Sequence, residues 1–369
     1  MIIPAARKMY MKCSVITIHH IHNFGSVFQA YGLVKYLQQQ GYDTQIIDYR
    51  PAYYDVGKNK IKTLVGKTLN IGPYLTRKSK FDNFVKKYQT LSAKRFTTVH
   101  QLQHHYKNSQ EVFIAGGDQL WNSYHPCGND DAYKLTFCPN ARKLAYGTSM
   151  GRDNYTQLEL KTLADKVAGF ESIMLREKCT VDILTPHTSV QVHHVIDPVG
   201  LLESEAFLKI AKKPLLEEPY AVMYLADSGP LLDEAVRLLS QKMGLKIVHI
   251  CGFRKKCYCD YFVKDAGPEE ILGYIAHADF VLSASFHATM FSLLFSKPFA
   301  SLLPGMHTNA RIEDLLRYVG LQERILRTEQ DLAVLDKKID FSVPDAILKE
   351  WKKKSQDLLL QALKNETEA

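Results

Sequence analysis

The chain has 369 residues, 46% of them hydrophobic and 23% charged, with a formal net charge of +8; at this length two domains are the natural expectation. No apolar run approaches the roughly 20 residues of a membrane span, the start "MIIPAARKMYMKCSVIT" lacks the features of a secretory signal, and seven cysteines, an odd number, suit reduced thiols in the cytoplasm. The positive charge is scattered, apart from "RKK" (254–256) and "KKK" (352–354), which fits small anions or an acidic membrane surface and not nucleic acid.

In chain order, "KCSVITI" predicts a first strand. "GSVFQAYGLVKYLQQQG" then predicts a helix, with Val27, Tyr31, Val34 and Leu37 at helical spacing and Gly41 as its stop. "DTQIIDY" predicts the next strand, and the basic, weakly patterned residues 57–107 read as helices and loops. "EVFIAGG", "KLAYGTS" and "ESIML" predict strands, with the helix "NYTQLELKTLADKVAGF" between the last two. The polar link "PLLEEP" (214–219) marks a domain boundary. Beyond it come strand "YAVMYLA", helix "GPLLDEAVRLLSQKMG", strand "KIVHICG", helix "GPEEILGYIAHA", strand "DFVLSAS", helix "FHATMFSLLFSKP" and strand "FASLL". "PDAILKEWKKKSQDLLLQALKNE" predicts a long amphipathic helix at the C-terminus. Strands alternating with helices imply parallel sheets. The expected fold class is therefore α/β: two Rossmann-like domains, residues 11–213 and 219–340, facing each other across a cleft, with a final helix over 344–369. Such sheets bind ligands outside the carboxyl ends of their strands, so the site is expected in the cleft.

The loops at those strand ends carry the candidate chemistry. "HHIHNFG" (19–25) sets three histidines ahead of a glycine. His19, His20 and His22 alternate about a strand end and point to opposite sides, so they do not converge on a metal. The stretch reads instead as a strand-to-helix turn in which Asn23, Gly25 and Ser26 line the cleft and offer amides to an anion. It lacks the GxGxxG spacing of a dinucleotide site. Cys257 and Cys259 have no second pair at zinc spacing and read as a polar surface loop. In "AGGDQLWN", Gly116 and Gly117 allow a tight exit, Asp118 projects into the cleft, and Trp121 offers an apolar face of the kind sugars use. Arg176, directly after "ESIML", is placed to hold a carboxylate or phosphate in two-pronged fashion. In "DFVLSASFHATMFSLLFSKPF", Ser283 and Ser285 stand at the cap of a helix that is apolar nearly all round, and His287 lies in its first turn. A bound anion there favours the charged imidazole. No metal or cofactor is expected.

These pieces, "HNFGSVFQAYGLVKYLQQQGYDTQIIDYRP", "VFIAGGDQLWN", "KLAYGTSMG", "SIMLREK", "VIDPVGLL", "GPEEILGYIAHADFVLSASFHATMFSLLFSKPF" and "NARIEDLL", taken in order, resemble the polysaccharide pyruvyl transferase family. The resemblance implies a GT-B-like fold and transfer of a pyruvyl group from phosphoenolpyruvate to two hydroxyls of one sugar, giving a cyclic ketal. It implies that His287 is the donor-side acid or phosphate partner and that Arg176 clamps the donor. Asp118 is the candidate base for the sugar hydroxyl. Where many members carry an arginine two residues before the histidine, this chain has Ser285; Arg311 or Arg254 is the candidate replacement. The partners implied are phosphoenolpyruvate and a sugar or oligosaccharide acceptor. A lipid-linked acceptor would bring the protein to the inner face of the membrane.

Two rivals remain at this stage. A glycosyltransferase of the same architecture would use a nucleotide-sugar donor, with Glu269 or Glu270 on the ribose hydroxyls. A non-catalytic sugar-binding or scaffold protein is favoured if His287 is buried and packed.

Overall fold

The structure, a computed structural model, describes residues 11–54, 71–224, 227–250, 254–303, 305 and 308–364. The first sheet contains β1 (Lys12–Ile16), β2 (Asp43–Tyr49), β3 (Leu91–Phe96), β4 (Val112–Gly116), β5 (Lys143–Thr148), β6 (Ser172–Leu175) and β7 (Val192–His194). The second contains β8 (Tyr220–Tyr224), β9 (Lys246–Ile250), β10 (Tyr261–Val263), β11 (Phe280–Ser283), β12 (Phe299–Leu302) and β13 (Ile325–Leu326). The α-helices are α1 (Phe24–Gln39), α2 (Ile71–Tyr88), α3 (Val99–Tyr106), α4 (Gln157–Val167), α5 (Lys178–Leu184), α6 (Ser204–Leu208), α7 (Pro230–Arg237), α8 (Pro268–His277), α9 (Phe286–Leu294), α10 (Ala310–Tyr318) and α11 (Ser342–Lys364).

The strand orders are β3-β2-β1-β4-β5-β6-β7 and β10-β9-β8-β11-β12-β13, and every pairing is parallel. Inner strands are apolar on both sides, as parallel sheets covered by helices require. Along β4, Val112 and Ile114 join one apolar cluster while Phe113 and Ala115 join another. In each sheet the order reverses direction between two adjacent strands: β1 and β4 in the first, β8 and β11 in the second. A crevice opens at each such point.

The two lobes are fused by packing. One continuous apolar cluster takes in Val15, Ile46 and Val112 of the first sheet and Val222, Val248 and Phe299 of the second. Its centre is aromatic: Phe24 and Phe28 of α1 meet Phe291 of α9 at 5.3 and 5.4 Å between ring centroids, and Phe207 closes on Phe291 at 5.0 Å. Ion pairs rim this seam, with Lys80 of α2 on Asp265 and Glu270 at 3.2 and 2.7 Å. Helix α11 then returns to the first lobe. Ser355 Oγ accepts from the Ile196 amide at 2.9 Å, Gln356 donates to Leu201 O at 3.0 Å, and Arg142 donates to the last-turn carbonyls of Ala362 and Leu363 at 2.8 and 3.2 Å.

The expected inner strands form where their apolar runs stand. Strands β3, β7, β10 and β13, absent from the sequence expectation, are the four sheet edges. Three of them are half-exposed and β13 is two residues long. An edge strand lacks the doubly buried surface that leaves a continuous apolar signature.

Candidate active site

The first sheet brings three loops to the seam. Asn23 caps α1, its side-chain oxygen accepting from the Ser26 amide at 3.3 Å. Gly25 lies so close to His287 that a β-carbon there would stand 2.0 Å from the ring Nδ1. The strand β4 exits through Gly117 and Asp118, both left-handed at φ 65° and 50°. Aspartate tolerates this region better than most residues, and the turn is pinned by Ser149 N, which donates to Asp118 O at 2.8 Å. The Asp118 carboxylate accepts from the Gln119 amide at 2.7 Å and from the Ser26 hydroxyl. After β6, Arg176 donates from Nε to Glu177 at 2.8 Å and from Nη1 to Asp197 at 2.7 Å, with its guanidinium 4.5 Å above the Phe286 ring.

The second lobe supplies the opposite wall. Ser285 caps α9 by accepting from the Ala288 amide at 3.4 Å, and Ser283 donates to Tyr224 O at 2.7 Å. His287 then projects its Nε2 to within 3.4 Å of Asp197 Oδ2. It is buried, but against a charged cluster. Arg311, at the start of α10, is half-buried and feels the charges of Arg176, Glu177, Asp118 and Asp197. Both switch points thus open onto one constellation: Asp118, Arg176, Glu177 and Asp197 from the first lobe, His287 and Arg311 from the second.

The fields of these groups decide their charge states. Burial opposes ionisation of Asp197, yet His287 and Arg176 beside it outweigh burial and bring its pKa down to about 2. Burial likewise opposes the charge of Arg176, but Glu177, Asp197 and Asp118 together hold it above the ordinary arginine value. Arg311 is different. Burial and then the Arg176 guanidinium hold it down to about 10, against the attraction of Glu177, Asp118 and Asp197. Its Nε is buried without a hydrogen-bond partner, as is Nη2 of Arg176. With His287 protonated, three carboxylates face three cations.

Several sequence expectations change here. Trp121 is 1% exposed, its indole N–H donating to Tyr133 O at 2.9 Å and its ring edge-on to Phe170, so it offers no face to a sugar. The "LW" pattern is a core signature, and Trp121 belongs to the first lobe. Ser283 is 1% exposed and satisfied on both sides, since it also accepts from the Ser285 amide at 3.0 Å. It fixes the loop and offers nothing to a ligand. Arg176 has two of its three nitrogens engaged, so no two-pronged grip remains; only Nη2 is available. Among the histidines, His19 is a core residue bonded to Asp48 at 3.0 Å, His20 is packed on Tyr54 with its pKa pushed down to about 3 by burial, and His22 faces Asp82 at 3.7 Å. Glu269 is held by Lys87 and Tyr88, and Glu270 by Lys80, Lys212 and the Gly267 amide. Neither is free for a ribose. Arg254 is exposed on its loop.

Two members of the cluster were missed as site residues. Glu177 stands next to Arg176 in "SIMLREK". Asp197 opens "DPVG", where an aspartate before proline caps a short helical turn over Pro198–Leu201. A strand-end Asp-Pro is common as a cap alone, and only the fold reveals that this one also meets His287.

The architecture has solved counterparts. The chain is similar to a protein from Listeria monocytogenes assigned as a UDP-N-acetylglucosamine 2-epimerase, at 8% identity over 97% of each chain and a TM-score of 0.60. It is similar to the UDP-N-acetylglucosamine 2-epimerase of Rickettsia bellii, at 11% identity over 96% of each chain and a TM-score of 0.55. The UDP-GlcNAc 2-epimerase of Methanocaldococcus jannaschii matches at 11% identity over 95% of this chain and all of that one, with a TM-score of 0.53. At such identities the likeness concerns the fold alone, which is GT-B-like. No protein of curated function matches the chain at a significant level. Residues 23–304 match the family model described as polysaccharide pyruvyl transferase.

Proposed function

Because the chain belongs to the polysaccharide pyruvyl transferase family, we propose that it moves the pyruvyl group of phosphoenolpyruvate onto two hydroxyls of one sugar in a polysaccharide or its precursor. The product is a cyclic ketal and the leaving group is phosphate. The observation that carries this reading is Arg311. Among the described residues it makes no ion pair and no side-chain hydrogen bond, although it sits half-buried within electrostatic reach of Arg176, Glu177, Asp118 and Asp197. An anion with a carboxylate and a phosphate supplies the missing partner. The N-terminal turn of α1 around Gly25 adds amides and the positive end of a helix.

In this reading the lobe of residues 219–340 holds the donor and that of 11–213 receives the sugar. His287 gives a proton to the donor's methylene carbon, which leaves an electrophilic centre for the first hydroxyl. Asp118 takes the hydroxyl proton, oriented by its bonds to Ser26 and Gln119. Departure of phosphate and attack by the second hydroxyl, whose proton passes to the departing phosphate, close the ketal. Ser285 costs the site one positive charge relative to the family pattern, and Arg311 stands in for it. The acceptor is proposed to be sugar on a lipid carrier, met at the membrane periphery. Ile71 and Leu75 stand exposed one turn apart on α2 beside Lys78, an apolar and basic edge. Among the described residues no helix is long and apolar enough to cross a membrane.

Thermal melting with ligand tests this reading. Phosphoenolpyruvate at 100 times its dissociation constant is expected to add about 2.7 kcal/mol of stability, and a uridine diphosphate none. In Arg311→Ala the phosphoenolpyruvate shift is expected to vanish while the unliganded melt stays in place. A shift with the nucleotide alone, or one unchanged in Arg311→Ala, overturns the assignment. Phosphate release with a ketal methyl signal, on adding candidate acceptors, tests the chemistry.

A further inference from the structure

The turn that carries Asp197 is held more firmly than a cap requires. Tyr146 donates to Ile196 O at 3.2 Å, and the Ile196 amide donates to Ser355 Oγ at 2.9 Å. Pro198 is pressed between two glycines: a β-carbon on Gly32 would lie 2.5 Å from its carbonyl oxygen, and one on Gly147 would lie 2.6 Å from its ring. Three elements, α1, β5 and α11, therefore fix a single side chain. Both of its oxygens are engaged. Oδ1 accepts from the Val199 amide at 3.0 Å, and Oδ2 lies 2.7 Å from Arg176 Nη1 and 3.4 Å from His287 Nε2.

An ionised carboxylate only accepts hydrogen bonds. His287 Nε2, buried with no hydrogen bond formed, has the Asp197 oxygen 3.4 Å away as its charged neighbour, so a proton on Nε2 is the one that carboxylate favours. The nitrogen on the other side of the ring is the one packed over Gly25, at the first turn of α1. We propose that Asp197 is a positioning residue that holds His287 in the tautomer protonated at Nε2, leaving Nδ1 as the nitrogen that exchanges a proton with the donor at the α1 N-terminus. The chain Glu177, Arg176, Asp197, His287 then works in one direction. Glu177 and Arg176 fix the carboxylate, the carboxylate fixes the ring, and the ring presents one nitrogen. When His287 gives up the Nδ1 proton, the Nε2 proton stays where Asp197 holds it, so the ring is left neutral and correctly oriented for the next turnover. This inference rests on His287 acting on the donor as proposed above.

The tautomer is read by nitrogen NMR on uniformly labelled protein without ligand, at alkaline pH, with the His287 signals identified by their loss in His287→Gln. Neutral His287 is expected to show a protonated Nε2 and an unprotonated Nδ1, and Asp197→Asn to abolish that preference. In the phosphate-release assay Asp197→Asn is expected to lower kcat about 100-fold with the KM for phosphoenolpyruvate within about threefold, a split that loss of packing alone does not produce. A wild-type ring protonated at Nδ1, or an unchanged tautomer in Asp197→Asn, overturns the inference. Should Asp197→Asn fail to fold, the wild-type spectrum decides by itself. The spectrum needs no substrate, so the expected tautomer in a protein inert toward phosphoenolpyruvate leaves the positioning of His287 by Asp197 standing and defeats the functional reading, and with it the proton exchange at Nδ1.

Discussion

The seam between the lobes has an apolar half and a charged half, and helices α1 and α9 build both. In α1, Phe24 and Phe28 turn into the aromatic cluster while Gly25 and Ser26 turn to the charged one. In α9, Phe291 lies one turn beyond His287, so the same helical face passes from imidazole to phenyl over four residues. The lesson is that the reactive end is positioned by the oily end. Aromatic packing sets the distance between the lobes to within side-chain contact, and the buried surroundings strengthen every ionic interaction beside it.

Removing the packing is the harshest way to break this pairing. Phe291→Ala is expected to cost about 3–5 kcal/mol of stability, read as a lower denaturant midpoint, because Phe24, Phe28 and Phe207 all lose their partner. Gly25→Ala strikes the boundary between the halves. Its β-carbon meets the His287 ring, so a loss of about 1–3 kcal/mol is expected together with loss of the phosphoenolpyruvate-dependent thermal shift. A variant that keeps both stability and shift contradicts the close approach.

Acid sharpens the contrast at smaller magnitude. His194 sits between Trp351 and Tyr318, 4.7 and 4.9 Å from their rings, and burial first of all pushes its pKa from 6.5 down to about 4. The folded state therefore resists the proton that the unfolded chain accepts. Its contribution is complete above about 6.5 and is lost as pH falls to about 4. That is about 1–2 kcal/mol once solvent screening discounts the full shift. Asp197 keeps its charge until about 2, so that carboxylate outlasts this acid step. Melting temperatures across that range should fall less in His194→Phe than in the parent protein.

The inner strands and the strand-end loops were legible because doubly buried strands write continuous apolar runs and because glycines mark tight exits. The four edge strands were not, since half-exposed residues such as those of β3 carry no such pattern. The site was legible one loop at a time: His287, Arg176, Asp118 and Arg311 each follow a strand or open a helix. What single loops cannot reveal is pairing across the fold. Arg176 reads as a free clamp until Asp197, twenty-one residues later, is seen to hold it. Trp121 reads as a platform until its indole is found bonded inside the lobe.

The return of α11 has a consequence for how the molecule can be dissected. The polypeptide crosses between the lobes twice, once through the 214–218 bridge, where Leu215 is fully exposed, and again by way of the terminal helix. A protease nick in the bridge therefore severs one connection of two, and the halves stay clasped by Trp351, Ser355 and the Arg142 grip on the final turn. Neither half, produced by itself, owns a finished surface.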